Sequence, residues 1–131
     1  MPVSIVLLSP GAENPSRIQH LVDSLAEMRQ PDDPDLHFRH VDADLDEDAL
    51  VEQCQDATAL LVQTRNADLV ALARRLPDLR LIQTYTAGTD WLDVQGLADA
   101  GITVADNGGA NAIAVAEVAI ALMLSVLHRL D

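Results

Sequence analysis

Residues 59–83, ALLVQTRNADLVALARRLPDLRLIQ, decide the fold class. Two apolar runs, 59–62 and 79–83, are too short for helices and rich in branched side chains, so they read as buried strands. Between them, residues 68–76 repeat apolar side chains at helical spacing, and Pro77 stops the pattern. Strand, helix and strand in such close succession form a crossover unit, which lays its two strands parallel and in a right-handed sense.

The same alternation extends in both directions. Upstream, residues 3–8 and 36–41 read as strands, and residues 46–55 as a helix. Another helix follows Asn14-Pro15-Ser16, where Asn14 can cap and Pro15 suits the first turn; Ile18, Leu21, Val22 and Leu25 mark one face, and the pattern ends near Gln30-Pro31. Downstream, residues 102–105 give a fifth strand. The expectation is an α/β fold: a flavodoxin-like, five-stranded parallel sheet in the order 2-1-3-4-5, with helices on both faces, over residues 1–111.

Residues 112–130 differ, because Ala, Ile, Val, Leu and Met occupy every side of a helical pattern interrupted by Glu117 and Ser125. Such a helix is buried all round or crosses a membrane. Its length and Glu117 argue against spanning, so residues 112–131 are expected to pack between domains or subunits, with Glu117 as a hydrogen-bonding group at that interface.

Composition narrows the function. The chain has 131 residues, 49% of them hydrophobic, which suits one globular domain with a real core. Its net charge is −13, and all eight basic residues are Arg. A phosphate-backbone binder needs a basic stripe, so no nucleic-acid partner is expected. Cys54 is the single cysteine, which excludes an internal disulfide, and no signal sequence opens the chain; a cytoplasmic protein without a membrane partner is expected.

In an open parallel sheet, ligands bind where the strands end. The loop after the first strand, Ser9-Pro10-Gly11-Ala12-Glu13-Asn14, has neither a run of hydroxyls and glycines for a flavin phosphate nor G-x-G-x-x-G for a dinucleotide. A phosphoryl-accepting receiver would need an Asp ending strand three and a Lys after strand five, and both are missing. His37 and His40 fall on opposite strand faces, and no metal-ligand spacing occurs.

Two loops carry a signal. Thr84-Tyr85-Thr86-Ala87-Gly88-Thr89-Asp90 places small residues where backbone N–H groups can receive an anion, with Thr89 or Asp90 capping the next helix and Trp91 and Leu92 packing against the sheet. Ala105-Asp106-Asn107-Gly108-Gly109-Ala110-Asn111 opens into the apolar helix, where Asn111 can cap the first turn and still offer its amide to a ligand, and the terminus adds about half a positive charge. Asn107 and Gly108 read as turn residues.

The segments Leu81-Ile82-Gln83-Thr84-x-Thr86-Ala87-Gly88-x-Asp90, Gly101-Ile102-Thr103-Val104-Ala105-Asp106 and Gly109-Ala110-Asn111-Ala112-x-Ala114-Val115-Ala116-Glu117 resemble the N-terminal, substrate-binding domain of the D-isomer-specific 2-hydroxyacid dehydrogenases. The resemblance covers about a third of the chain closely, and Leu61-Val62-Gln63-Thr64-Arg65 fits the same domain. It implies an NAD- or NADP-dependent oxidoreductase of short 2-oxo and 2-hydroxy acids such as glyoxylate or hydroxypyruvate. By the same resemblance, Ala87 and Gly88 bind the substrate carboxylate, Asn111, Gln63, Thr64 and Arg65 line its pocket, and Val115 meets the nicotinamide ring of the cofactor.

Family members often carry Arg-Ser where this chain has Gln63-Thr64, which weakens the case for a bulky or phosphorylated acid. The family's catalytic Arg, Glu and His and its dinucleotide fingerprint come later than Asp131. The expectation is therefore a substrate-binding portion with no catalytic residue of its own, no metal, no cofactor held by this stretch alone, a missing Rossmann domain as its partner, and a homodimer formed through the helix at 112–130. The competing readings are a standalone module that binds small anions or dimerises, and a truncated remnant.

Overall fold

The computed structural model describes residues 2–11, 15–28, 30–63 and 67–129. Five strands and five helices alternate as β1 (Val3–Ser9), α1 (Pro15–Glu27), β2 (Leu36–Asp42), α2 (Glu47–Cys54), β3 (Ala59–Val62), α3 (Leu69–Arg75), β4 (Leu81–Thr84), α4 (Val94–Asp99), β5 (Thr103–Ala105) and α5 (Ala112–His128). The strands form one sheet in the order β2-β1-β3-β4-β5, and every pairing is parallel. The crossover unit read from residues 59–83 thus sets the direction of the whole sheet.

Local chemistry fixes the helix starts. The Asp46 carboxylate accepts from Ala49 N–H at 3.0 Å, and that of Asp68 accepts from Val70 and Ala71 N–H at 3.1 and 3.0 Å. The cap expected at Asn14 lies outside the described residues. The cap of α4 is Asp93, which accepts from Gly96 N–H at 2.8 Å, and not Thr89 or Asp90. Leu92 N–H instead bonds Thr89 carbonyl at 2.8 Å, so this segment is spent on a turn and the helix begins later.

Two strands are shorter than their apolar runs. Leu79 N–H returns to Leu76 carbonyl at 3.3 Å, and the Arg80 guanidinium donates to the carbonyls of Pro77 and Leu79, so a turn delays β4 to Leu81. Ile102 N–H bonds Leu97 carbonyl at 3.0 Å, which closes α4 and holds Ile102 out of β5.

The two faces of the sheet are covered unequally. Val6, Leu8, Leu60, Val62 and Ile82 point to one face and are buried with Leu50 and Cys54 of α2, Leu69 and Leu72 of α3, and Leu97 of α4. On the other face Leu7 is buried and α1 contributes Ile18, while Leu61, Leu81 and Gln83 stay half-buried and Thr103 is exposed. This departs from the even cover expected from alternation alone.

At the base of the sheet, Arg39 of β2 donates to Ser4 Oγ at 2.7 Å, to the Gln53 carbonyl at 2.8 Å and to both carboxylate oxygens of Asp56. One planar guanidinium therefore fastens β1, β2 and the end of α2 together. These bonds hold the Asp56 carboxyl below the usual carboxylate range.

No described residue of α5 is buried, and Ile113 and Leu127 are 77% and 75% exposed. Among the described residues no helix is long and apolar enough to cross a membrane.

Leu60→Ala or Ile82→Ala removes a wholly buried side chain of the core, and the expected loss is about 2–5 kcal/mol in urea unfolding. A carboxyl held low binds its proton later in the folded than in the unfolded chain, so Asp56 stabilises the fold above about pH 4 and loses that effect as pH falls further. Asp56 is largely exposed, so Asp56→Asn should cost at most about 1 kcal/mol at pH 7, and the gap between parent and variant should shrink as pH falls below about 4.

Candidate functional site

The carboxyl ends of β3, β4 and β5 lie side by side, and the loops that leave them are built from hydrogen bonds that the strands no longer supply. Buried Thr84 ends β4 and donates from Oγ1 to the Thr86 carbonyl at 3.1 Å, curling the chain. Thr86 Oγ1 donates to the Gly88 carbonyl at 2.7 Å, and Trp91 Nε1 donates to both Thr86 Oγ1 and the Gly88 carbonyl at 3.2 Å. The indole thereby pins the loop's acceptors. Ala87 and Gly88 are exposed, and among the described residues their backbone N–H groups donate to nothing. Two neighbouring free donors can serve as a small cradle for an anion.

The loop after β5 is tied to this one. Asn107 N–H donates to the Thr86 carbonyl at 3.1 Å, and its side-chain amide reaches the Tyr85 carbonyl at 3.5 Å. Asp106 accepts from Gly108 N–H at 2.8 Å, and Gly108 and Gly109 turn the chain with φ of 52° and 72°, a conformation that side chains with a Cβ rarely adopt. The chain then enters α5 through Ala110 N–H to Asn107 carbonyl and Ala112 N–H to Gly109 carbonyl.

Asn111 does stand at the N-cap of α5, but its side chain makes no capping bond. Its φ and ψ of −102° and 5° are not the extended pair from which a cap side chain reaches back to the first turn. Gln63 donates its N–H to Leu8 carbonyl at 2.9 Å, is exposed, and shares with Tyr85 the rim of a groove of about 380 Å³ floored by Leu7, Ile18 and Leu21. A second, open depression of about 400 Å³ lies between the ends of β4 and β5, lined by Leu61, Gln83, Thr84, Tyr85, Asp106 and Asn107.

Of the residues singled out from the sequence, Ala87 and Gly88 share one loop with Tyr85, which Gln63 adjoins. Val115, 58% exposed, and Asn111 stand on α5, and no described hydrogen bond links their side chains to the cradle. Thr64 and Arg65 lie outside the described residues. Asn107, read as a turn residue, also joins the two loops; an amide side chain just before Gly-Gly at the end of a strand was the signal available for it.

The rest of the chemistry is structural. Ser9, fully buried, hydrogen-bonds His40 Nε2 at 3.0 Å, and His37 pairs with Asp35 at 3.1 Å. Burial pushes the Cys54 thiol up to about 11, against the smaller opposing effect of Arg39, so it carries no thiolate at neutral pH. Among the described residues no group of His, Cys, Asp and Glu could hold a metal ion.

The family description of the D-isomer specific 2-hydroxyacid dehydrogenase catalytic domain matches residues 6–123. The chain belongs to this family. It is 39% identical to erythronate-4-phosphate dehydrogenase of Shewanella sp. (strain MR-7) over 80 residues, 61% of this chain and 21% of that protein. It is 44% identical to the erythronate-4-phosphate dehydrogenase of Acinetobacter baumannii (strain ATCC 17978) over 70 residues, 53% of this chain and 19% of that one. The chain thus spans about a fifth of the length of the curated relatives it matches. Among solved structures, 2-hydroxyacid dehydrogenase from Ketogulonicigenium vulgare Y25 superposes with a TM-score of 0.65 at 23% identity, over 93% of this chain and 35% of that one. D-lactate dehydrogenase from Aquifex aeolicus, complexed with NAD and lactic acid, gives 0.61 at 20% identity, over 92% and 33%. These two likenesses share the fold.

Asn107→Ala removes the side-chain tie to Tyr85 while leaving the main-chain bond to Thr86. The expected result is faster amide hydrogen exchange confined to residues 85–89 and 106–110, with global stability lowered by about 1 kcal/mol or less.

Proposed function

We propose that this chain is the substrate-binding portion of an NAD- or NADP-dependent oxidoreductase acting on short 2-hydroxy and 2-oxo acids of the glyoxylate or hydroxypyruvate type. The observation that carries the reading is the pair of uncommitted N–H groups at Ala87 and Gly88, in a loop pinned by Trp91 and Asn107 at the end of an inner strand. Charge-assisted hydrogen bonds to a carboxylate contribute about 1.5–3 kcal/mol each, so two fixed donors can hold a small acid without a neighbouring Lys or Arg. Gln63, Thr64, Arg65 and the amide of Asn111 are assigned to the same pocket, around the carboxylate end of the acid.

A nicotinamide cofactor would supply hydride in the complete enzyme. This stretch has no G-x-G-x-x-G to hold a pyrophosphate, and its contribution to that cofactor is the exposed apolar side chain of Val115. Residues 1–111 form the substrate domain in this reading, and residues 112–131 form a helix that meets a dinucleotide-binding domain or a second copy. The exposed apolar side chains of α5 support that assignment, since so large an apolar surface is rarely left to water. Family membership weighs against a standalone anion-binding module.

Titration of the ¹⁵N-labelled chain with glyoxylate or hydroxypyruvate should move the Ala87 and Gly88 amide resonances first, and Gly88→Pro, which deletes one donor, should weaken binding by about tenfold or more. The chain alone should oxidise no NADH in the presence of glyoxylate. Shifts confined to residues away from 84–90, or steady turnover by the 131-residue chain, would contradict the reading.

A further inference from the structure

The depression beside the cradle has a lining that discriminates between kinds of acid. It shares Tyr85 with the cradle loop, and Asn107, on its wall, bonds the carbonyl of Thr86 next to Ala87. The loop that carries Ala87 and Gly88 and the wall of the depression are therefore joined through Tyr85 and through one main-chain bond. The polar residues lining it are Gln83, Thr84, Tyr85, Asp106 and Asn107.

Several of these groups keep capacity to spare. The Gln83 amide donates to the Thr84 carbonyl at 3.0 Å and retains its oxygen, and Asn107 spends its amide nitrogen on Tyr85 carbonyl and retains its oxygen. Asp106 accepts from Gly108 N–H through Oδ1, which leaves Oδ2. Amide oxygens and a carboxylate are acceptors that hydroxyl donors satisfy, and an alkyl chain placed against them leaves them desolvated and unpaired. No cation lines the depression among the described residues, and Asp106 opposes a second negative charge.

We propose that this depression receives the distal part of the substrate and selects a neutral, hydroxylated chain, so that the preferred acid is a short polyhydroxylated 2-hydroxy or 2-oxo acid and not an alkyl or phosphorylated one. The proposal rests on the carboxylate cradle proposed above and adds the chemistry of the substrate beyond its carboxylate. It separates this chain from the substrate that its relatives' names carry, a four-carbon hydroxylated acid bearing a phosphate.

The test compares three ligands of matched length, erythronate, erythronate 4-phosphate and 2-hydroxybutyrate, by calorimetry and by ¹⁵N resonances of the 131-residue chain. Erythronate should bind about tenfold more tightly than either competitor and move the side-chain amides of Gln83 and Asn107 together with the Ala87 and Gly88 N–H groups. Asp106→Asn, which keeps the turn to Gly108, should narrow the gap between erythronate and its phosphate without strengthening 2-hydroxybutyrate. Tighter binding of the phosphate, or equal binding of the alkyl acid, with the Ala87 and Gly88 shifts retained would overturn this proposal and leave the cradle standing. Absence of those shifts with all three acids would overturn both.

Discussion

The hydrogen bond from Asn107 N–H to the Thr86 carbonyl is the constraint on which the site depends. A parallel sheet satisfies its backbone groups only as far as its strands run, and here β4 stops at Thr84 and β5 at Ala105. Beyond those residues the chain must find other partners or leave them to water. It spends Thr84, Thr86, Trp91 and Asn107 on carbonyl oxygens, and that choice leaves N–H groups as the unspent polarity of the loop. A loop whose acceptors are satisfied internally and whose donors face outward attracts anions without any charged side chain. The chain's net charge of −13 repels anions at long range, so in the proposed reading local geometry has to supply the attraction for an acid.

The core explains why the site can be so lightly built. Three of the five helices pack on one face of the sheet, and the side chains there, from Val6 to Ile82, are almost wholly withdrawn from water. The inner strands β1, β3 and β4 are thereby held rigidly, and their carboxyl ends, where Gln63 and Tyr85 leave the sheet, inherit that rigidity through Gln63 N–H to Leu8 carbonyl and Tyr85 N–H to Val62 carbonyl. Arg39 fastens the opposite end of the sheet. Its partners Ser4, Gln53 and Asp56 come from β1, α2 and the turn that follows α2, so the register of β1 and β2 is locked at the end of the sheet away from the Gly88 loop.

Most of the architecture was legible in the sequence because it rests on local signals. Short apolar runs placed the strands, and helical spacing with Pro77 after it placed α2 and α3 between them. The misreadings came where a tertiary bond overrode a local pattern. Leu79 and Ile102 are as apolar as strand residues but are held in turns by Leu76 and Leu97, and Asp93 caps α4 because Thr89 to Leu92 is already a turn. At the site, small residues around Gly88 suggested exposed amides, which is a property of one loop. The role of Asn107 was hidden because it depends on a second strand lying alongside, and Asn111 proved a cap by position only, since its backbone angles deny its side chain the first turn.

The measurement that reaches the central claim most directly is a crystal structure of the chain grown with hydroxypyruvate. The account predicts the ligand's carboxylate oxygens about 2.7–3.2 Å from the backbone nitrogens of Ala87 and Gly88, with the Trp91 and Asn107 bonds intact. A carboxylate seated elsewhere, on Arg39 or Arg80 for example, with the two N–H groups bonded to water alone, would contradict it.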